Sequence, residues 1–307
     1  MKEKHDLIEC INICIPVYNH DMSWLVTELC LQTKLLSIPY QILLIDDASE
    51  QYKEENRKLI SLDPNIVYEE LPQNIGRSKI RNLLAQKAKY DWLIMLDCDC
   101  QIQHPNFLER YINSGNSNSP VICGGTRFED NPPSNNQILR WKYGKEREEF
   151  SAELCNSNSE KTFRSSNFLI HRNLFNSIKF DESIVGYGHE DTLFGFMLKK
   201  KGYKIKYIDN GTFHDDLAPT DIYLKQIENA AKNLLIIYKK LPKEDRETFL
   251  RMNPGLKVSY ALKQLGLSPI ISTIYKLLSS KILKNLRSKK PNMRVFDFYK
   301  LGILSGL

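Results

Sequence analysis

Apolar residues in this chain fall into short continuous runs, separated by longer stretches with helical spacing. Residues 11–19 read as a buried strand stopped by a proline, and residues 22–36 as an amphipathic helix. A second buried strand over 41–49 ends in acid, a helix follows near 52–60, and a short strand near 66–71. Residues 73–82 read as a turn opening a helix that runs to about residue 89, and an aromatic-apolar run over 92–100 follows directly. Strands that alternate with helices and are apolar throughout indicate an α/β fold, with a mostly parallel central sheet covered by helices on both faces. In such sheets ligands bind beyond the carboxyl ends of the strands. Tyr18, Asp47 and the pair Asp97/Asp99 each stand at such an end.

The run 92–100 organises the rest. If it stays extended, period-2 alternation puts Asp97 and Asp99 on one face and turns Cys98 away. Two converging carboxylates repel each other, and a divalent cation, or a cation plus a polyol, relieves that repulsion. The alternative is a strand that ends in a solvated acidic turn. Arg77 and Arg81 stand at i and i+4 if the helix starts near Gly76. That face, with Lys79, reads either as an anion holder or as a solvated basic surface.

Farther on, a short helix is expected near 106–112 and a strand over 121–126, with loop and some helix across the polar stretch 130–158. Residues 161–170 look strand-like and contain Arg164-Ser165-Ser166-Asn167. The segment Gly186-Tyr187-Gly188-His189-Glu190-Asp191 opens a helix ending near Gly202. The helix dipole favours an acid in a first turn, which accounts for one of the two carboxylates. The glycines allow close backbone approach to a ligand. A strand over 203–208 and the polar segment Thr212-Phe213-His214-Asp215-Asp216 close the body. His214 is either structural or, beside carboxylates, a metal ligand. Beyond Pro219 the pattern is helical over 221–240, 243–252 and 256–265. From Pro269 on, Ile270, Ile274, Leu277, Leu278, Ile282 and Leu286 keep helical spacing with lysines between them. That stripe either packs on the body or lies on an anionic membrane surface.

The 307 residues allow one large domain, or a catalytic domain plus an appendage. Seven cysteines without a Cys-x-x-Cys pair suggest neither a disulfide framework nor zinc. The first ten residues lack the apolar core of a signal peptide and no run reaches eighteen apolar residues, so a cytoplasmic protein is expected. The net charge of +6 is uneven: residues 268–307 carry eight basic side chains against Asp297 alone, which leaves the body near neutral. That distribution argues against nucleic acid as a partner of the core. No Gly-x-Gly-x-x-Gly follows the first strand and no Walker loop is present, which disfavours a dinucleotide-binding domain and a P-loop NTPase.

Taken in order, Ile15-Pro16-Val17-Tyr18-Asn19, Asp46-Asp47-Ala48-Ser49, Asn74-Ile75-Gly76 with Arg81-Asn82, Asp97-Cys98-Asp99, the Gly186–Asp191 element and Phe213-His214 resemble family 2 glycosyltransferases of the GT-A fold. The glycine-aromatic-glycine-x-Glu-Asp element is most like bacterial chondroitin-polymerase-type and galactosyltransferase-type domains. The resemblance covers about residues 9–216 and implies a catalytic domain over 1–218, with a helical region over 219–307. It differs from many relatives at Tyr187, where tryptophan is common, and at Cys98, where an aromatic or small residue is common.

The resemblance also implies roles. Pro16, Val17, Tyr18, Asn19, Asp47, Asn74, Gly76, Lys79, Arg81, Asp97 and Cys98 would form the nucleotide-sugar site. Within it Tyr18 would pack on uracil, Asp47 would accept from its imide N–H, Asp97 would hold ribose or sugar, and Arg81 or Lys79 would touch phosphate or sugar. Asp99 and His214 would ligate Mn²⁺ or Mg²⁺, Asp191 would be the general base, and Glu190 would bind sugar or acceptor. The implied activity is inverting transfer of a hexose or N-acetylhexosamine from a UDP-sugar to a glycan or lipid-linked acceptor. The rival of another class is a non-catalytic UDP-sugar-binding protein of the same fold, which has no need of the Glu190–Asp191 pair. A nucleotidyltransferase is disfavoured because no glycine-rich loop precedes Tyr18.

Overall fold

A computed structural model describes residues 8–157, 163–214 and 217–307. Strand β1 (Ile11–Val17) leads through helix α1 (Ser23–Thr33) to β2 (Tyr40–Asp46). Helix α2 (Lys53–Lys58), a 3-10 turn (Leu59–Ser61) and β3 (Ile66–Glu70) follow, then α3 (Arg77–Lys87) and β4 (Trp92–Leu96). After β5 (Cys100–Gln101) come α4 (Phe107–Ser114), β6 (Val121–Cys123) and β7 (Thr126–Arg127). The polar stretch holds α5 (Ile138–Arg147) and α6 (Ala152–Ser157), and β8 (Asn167–His171), α7 (Arg172–Ile178) and α8 (Glu190–Lys200) come next. Strands β9 (Lys206–Tyr207) and β10 (Thr212–His214) precede five helices: α9 (Thr220–Lys240), α10 (Lys243–Met252), α11 (Pro254–Gln264), α12 (Ser268–Leu286) and α13 (Met293–Gly306).

Seven strands form one sheet in the order β3-β2-β1-β4-β8-β6-β9. The pairs β3/β2, β2/β1, β1/β4 and β6/β9 are parallel, while β8 runs antiparallel to both β4 and β6. The α/β architecture expected from the apolar runs is therefore present. Along β1 alternation divides the core: Ile11, Ile13 and Ile15 pack beneath α1, while Cys14 faces Ile80 and Leu84 of α3.

The chain departs from the expected local pattern at four places. Residues 92–100 are not one strand. The chain leaves the large sheet at Leu96, turns through residues 97–99, and re-enters a small sheet β5-β10-β7 at Cys100. Strand alternation therefore does not govern Asp97 and Asp99, although Cys98 does pack against the β1–α1 core. The strand expected over 121–126 ends at Cys123, and Thr126 belongs to the small sheet. The strand expected over 161–170 begins at Asn167; residues 161 and 162 lie outside the described residues, as do residue 158 of the polar stretch, Asp215, Asp216 and residues 1–7. Helix α7 lies where the sequence pattern predicts none, whereas α13 falls within the helical region expected over 219–307.

The C-terminal helices pack on the body at two points. Leu139 and Tyr143 of α5 meet Tyr223 of α9, Leu286 of α12 and Phe296 of α13 in one cluster. Phe196 of α8 meets Leu234 of α9 and Phe249 of α10 in another. Of the lysine-spaced stripe, Ile282 and Leu286 are buried, whereas Ile270, Ile274, Leu277 and Leu278 stay exposed. No described helix is long and apolar enough to cross a membrane.

Candidate active site

The polar strand ends of β4 and β10, the start of α8, and α5 and α9 surround a cleft of about 310 Å³. Asp97, Asp99, Glu190, Asp191 and His214 all line it. Helix α3 supplies two of the cations around it. Arg81 is buried, and its Nη2 donates to Asp97 Oδ1 at 2.6 Å while Nη1 lies 3.9 Å from Glu190 Oε1. Arg77, one turn earlier, has its Nε 3.6 Å from the same Glu190 oxygen and stacks over Tyr187 at 5.2 Å. Of the i, i+4 face of α3, Arg81 is thus buried on carboxylates, while Arg77 pairs with Glu190 and stays exposed.

Helix α8 is placed by its apolar side. Phe194 stacks on Phe180 at 4.5 Å and on Phe163 at 5.3 Å, and burial of such a ring contributes roughly 1.5–3 kcal/mol. The turn before it bends sharply on Gly188, at φ +102, where a Cβ would lie 2.6 Å from the Cβ of Ala230 on α9. Only glycine permits both that dihedral and that approach. Asn233 of α9 holds the turn by donating from Nδ2 to the carbonyls of Val185, Tyr187 and Gly188, at 3.1, 3.3 and 3.2 Å. Glu190 and Asp191 are thereby delivered side by side into the cleft.

Their surroundings push the two acids apart. Burial works against the charge of Glu190, but Arg77 and Arg81 outweigh it and keep this carboxyl below its usual range. Burial raises Asp191, the charge of Glu190 raises it further, and Arg164 and Arg81 offset this only in part, leaving it at about 6. The dipole of α8 favours charge at this position by about 0.3–1 kcal/mol, too little to reverse desolvation beside a second carboxylate. Two neighbouring carboxyls held in different protonation ranges are the signature of divided roles. His189, the residue before them, is driven down to about 4 by burial and is neutral at pH 7; its Nδ1 lies 3.1 Å from Thr192 Oγ1.

Asp99 Oδ2 lies 3.2 Å from His214 Nδ1, across the register pair Cys100–His214 of the small sheet. Burial opposes the charge on Asp99, yet His214 and Arg77 hold it well below the carboxylate range. Burial likewise lowers His214, but Asp99 outweighs it and the net direction is up.

The other sequence-expected residues are placed as follows. Tyr18 stands half exposed beyond β1, next to Asn19, whose Oδ1 accepts from Glu50 N at 2.7 Å. Pro16 and Val17 lie within β1. Asp47 is buried, and its two oxygens accept from the amides of Ile75 and Gly76 at 2.7 and 2.9 Å, so it ties the end of β2 to the start of α3. Asn74 Nδ2 reaches back to the Asp47 carbonyl at 3.1 Å, and Gly76 caps α3 at φ +85. Cys98 lies between Asp97 and Asp99 with its thiol pushed up to about 12 by burial. Lys79 is not brought to the cleft; it borders a separate groove with Asn82, Arg172 and Glu182.

Glycosyl transferase family 2 matches residues 12–179, more than half of the chain. The chain belongs to that family. Among curated relatives of this glycosyltransferase domain, the chondroitin synthase of Escherichia coli is 22% identical over 246 residues, covering 69% of this chain and 36% of that protein. The chondroitin synthase of Pasteurella multocida (strain Pm70) is 24% identical over 269 residues, covering 76% and 27%. The chain thus spans about a third or less of these relatives' length. Among solved structures, a mannosyltransferase from Pyrobaculum calidifontis in complex with GDP-Man and Mn²⁺ superposes with a TM-score of 0.60 at 13% identity, covering 99% of this chain and 89% of that one. TarS 1-349 of S. aureus superposes with a TM-score of 0.50 at 18% identity, covering 96% and 90%. These neighbours and the sheet order identify the fold as GT-A.

Two residues of the cleft could take part in holding a divalent cation. Asp99 Oδ1 is buried without a hydrogen-bond partner, so this carboxylate has an oxygen to give, and His214 stands beside it. Among the described residues no group of three or more His, Cys, Asp or Glu could hold a metal ion. A carboxylate and an imidazole leave most of the coordination sphere to other donors, which suits a cation shared with substrate phosphates.

Two groups at the cleft escaped the sequence reading. Arg140 of α5 and Arg164 close on Glu148, at 2.8 and 3.2 Å, and draw that buried carboxyl down to about 2 against its desolvation. Tyr223, Gln226, Ile227 and Ala230 of α9 form a wall of the cleft, beyond the expected boundary at residue 218. The polar run Arg164–Asn167 inside a strand-like segment was a usable signal; nothing in the sequence marks Gln226.

Proposed function

We propose that this family 2 domain is an inverting, metal-dependent hexosyltransferase. Its donor is a UDP-linked hexose or N-acetylhexosamine, and its acceptor is a hydroxyl of a glycan or lipid-linked saccharide. The observation that carries this reading is Asp191, an acid with a raised pKa of about 6 that faces the same cleft as Asp99 and His214. A base ionised at neutral pH but still able to hold a proton is what activation of a sugar hydroxyl needs.

Asp191 takes the proton from the acceptor hydroxyl as that oxygen forms its bond to the anomeric carbon. The bond from that carbon to the diphosphate oxygen breaks on the opposite face and UDP departs, so an α-linked donor gives a β-glycoside. Such base catalysis contributes on the order of 10²–10⁴ in rate. Glu190, kept ionised by Arg77 and Arg81, holds acceptor or sugar hydroxyls and maintains the charge that keeps Asp191 basic. Asp97, fixed by Arg81, accepts from ribose or sugar hydroxyls. Tyr18 offers its half-exposed ring to the base. Asp47 keeps acceptor capacity on a carboxylate already steadied by two amides, and with it meets the uracil imide. Asp99 and His214 would hold Mn²⁺ or Mg²⁺, which supplies positive charge to the departing diphosphate. The Mn²⁺ and GDP-Man of the Pyrobaculum mannosyltransferase support this chemistry by fold likeness. The wall of α9 faces the acceptor side, so the catalytic unit extends past residue 218 into the helical region. The cytoplasm, where nucleotide sugars are available, is the proposed compartment.

The test is UDP release from a panel of UDP-sugars with Mn²⁺, with and without EDTA and acceptor saccharides, for wild type and Asp191→Asn. Transfer is expected to be lost in the variant with UDP binding retained. Equal loss of binding and transfer rejects Asp191 as the base.

A further inference from the structure

Residues 248–296 contain ten lysines and arginines and no acidic residue. Among the described residues, only Arg287 of these ten makes an ion pair, with Asp221 at 2.7 Å. Among the described residues the same segment holds the densest group of exposed large apolar side chains, concentrated on α12 and the turn that leads into it. Leu265 is 71% exposed, Ile270 54% and Leu277 78%. On α12, Ile270, Ile274, Leu277 and Leu278 recur at helical spacing, and the same face continues into Lys281 and Lys284. The opposite face, with Ser272, Ile282 and Leu286, packs inward against the helical cluster. Helix α12 is therefore held in place by one side and offers the other to solvent as leucines and isoleucines edged by lysines.

We propose that this face of α12, with the turn before it, docks on an anionic lipid bilayer, with the helix lying in the plane of the headgroups. The leucines and isoleucines enter the acyl boundary, the lysines spread their stems and leave their ammonium groups among lipid phosphates, and net attraction comes from both. A nucleic-acid surface matches the charge but not the exposed leucines, and a protein groove matches the leucines but not ten cations without a single acid. No described helix is suited to span a bilayer, so the contact is peripheral.

The test is co-sedimentation of the whole chain with vesicles of phosphatidylcholine alone and with one-third phosphatidylglycerol. Wild type is expected to pellet only with the anionic vesicles, and less at 0.5 M salt. Leu277→Glu and the double variant Lys281→Gln/Lys284→Gln are each expected to weaken that partition by about tenfold or more. Both change exposed side chains, so thermal unfolding and UDP release from a water-soluble donor and acceptor are expected to match wild type. Absence of anionic-vesicle binding overturns the proposal. So does binding that survives both variants, or loss in the lysine variant alone, which reduces the contact to charge. If sedimentation equilibrium shows a dimer that Leu277→Glu dissociates while vesicles are ignored, the face belongs to a second copy of the chain.

Discussion

The sharpest test concerns the pH at which the cleft becomes active. Asp191 is raised by burial and by Glu190, and lowered by Arg164 and Arg81. A base must be ionised, so kcat/KM is expected to rise with unit slope on a logarithmic plot up to about pH 6 and then level. At pH 5, one unit below that limb, about a tenth of the enzyme is competent. The neighbours move the limb in opposite directions. Glu190→Gln removes a negative charge, so the limb shifts to lower pH; Arg164→Gln removes a positive one, so it shifts to higher pH. Asp191→Asn lowers the plateau by about 10²–10⁴ and erases the limb. Linkage adds a second readout. An acid whose folded pKa is raised is neutral in both states below its unfolded value near 3.8 and opposes folding once charged above about 6. Asp191→Asn is therefore expected to raise the melting temperature at pH 7.5 and to leave it unchanged at pH 3.5. Initial rates over pH 4.5–8.5 and thermal melts on four proteins supply both measurements. A limb that stays in place in Glu190→Gln and Arg164→Gln refutes the assignment, because a base at Asp191 must respond to both charges.

Three further outcomes follow from the packing. Arg81→Met leaves Asp97 and Glu190 without their buried cation and is expected to cost about 3–5 kcal/mol in urea unfolding, with Arg81→Lys recovering part; a loss below 1 kcal/mol contradicts the pairing described. Gly188→Ala forces an alanine to φ +102 and drives its Cβ onto Ala230, so it is expected to cost about 1–3 kcal/mol, and Ala230→Gly in the same chain should relieve only the contact. Gln226→Ala is expected to raise the acceptor KM while acceptor-independent donor hydrolysis stays constant; a matching fall in hydrolysis would put α9 on the donor side instead.

Much of this arrangement could be read from the chain because apolar runs that end in acid mark strand termini at a ligand edge. Tyr18, Asp47, Asp97 and Asp99 are placed just beyond strand ends in that way, with Asp97 and Asp99 at the cleft, and the helix opening at Glu190 is marked by its glycines. The end of β4 was misjudged because residues 92–100 contain no glycine or proline to announce the turn at Asp97. The Asp97 amide still continues the β4/β8 pairing by donating to the Ser166 carbonyl at 2.9 Å, and the turn closes just beyond it, where the Cys100 amide donates to the Asp97 carbonyl at 3.2 Å. Helix α13 falls inside the expected helical region, and its start is legible too: Asn292 caps it by accepting from the amides of Arg294 and Val295, and Met293, Phe296 and Tyr299 repeat at helical spacing behind it. Glu148 with Arg140 and Arg164, by contrast, forms through tertiary packing, and no local pattern carries that information.

The small sheet has a consequence for the order in which the protein folds. Its strands are two or three residues long and come from segments around residues 100, 126 and 213, with no hairpin among them. Closing such loops costs entropy that so few backbone bonds repay poorly, so this sheet forms after the seven-stranded one has brought its parts together. Asp99 and His214 face each other only once that late step is complete. The cleft floor is then a cooperative unit of its own, opening more readily than the main sheet, and its amides should exchange faster with solvent than those of β1 and β4. Any ligand bridging Asp99 and His214 clamps a piece of the chain that the polypeptide alone holds weakly, so occupancy and local order rise together.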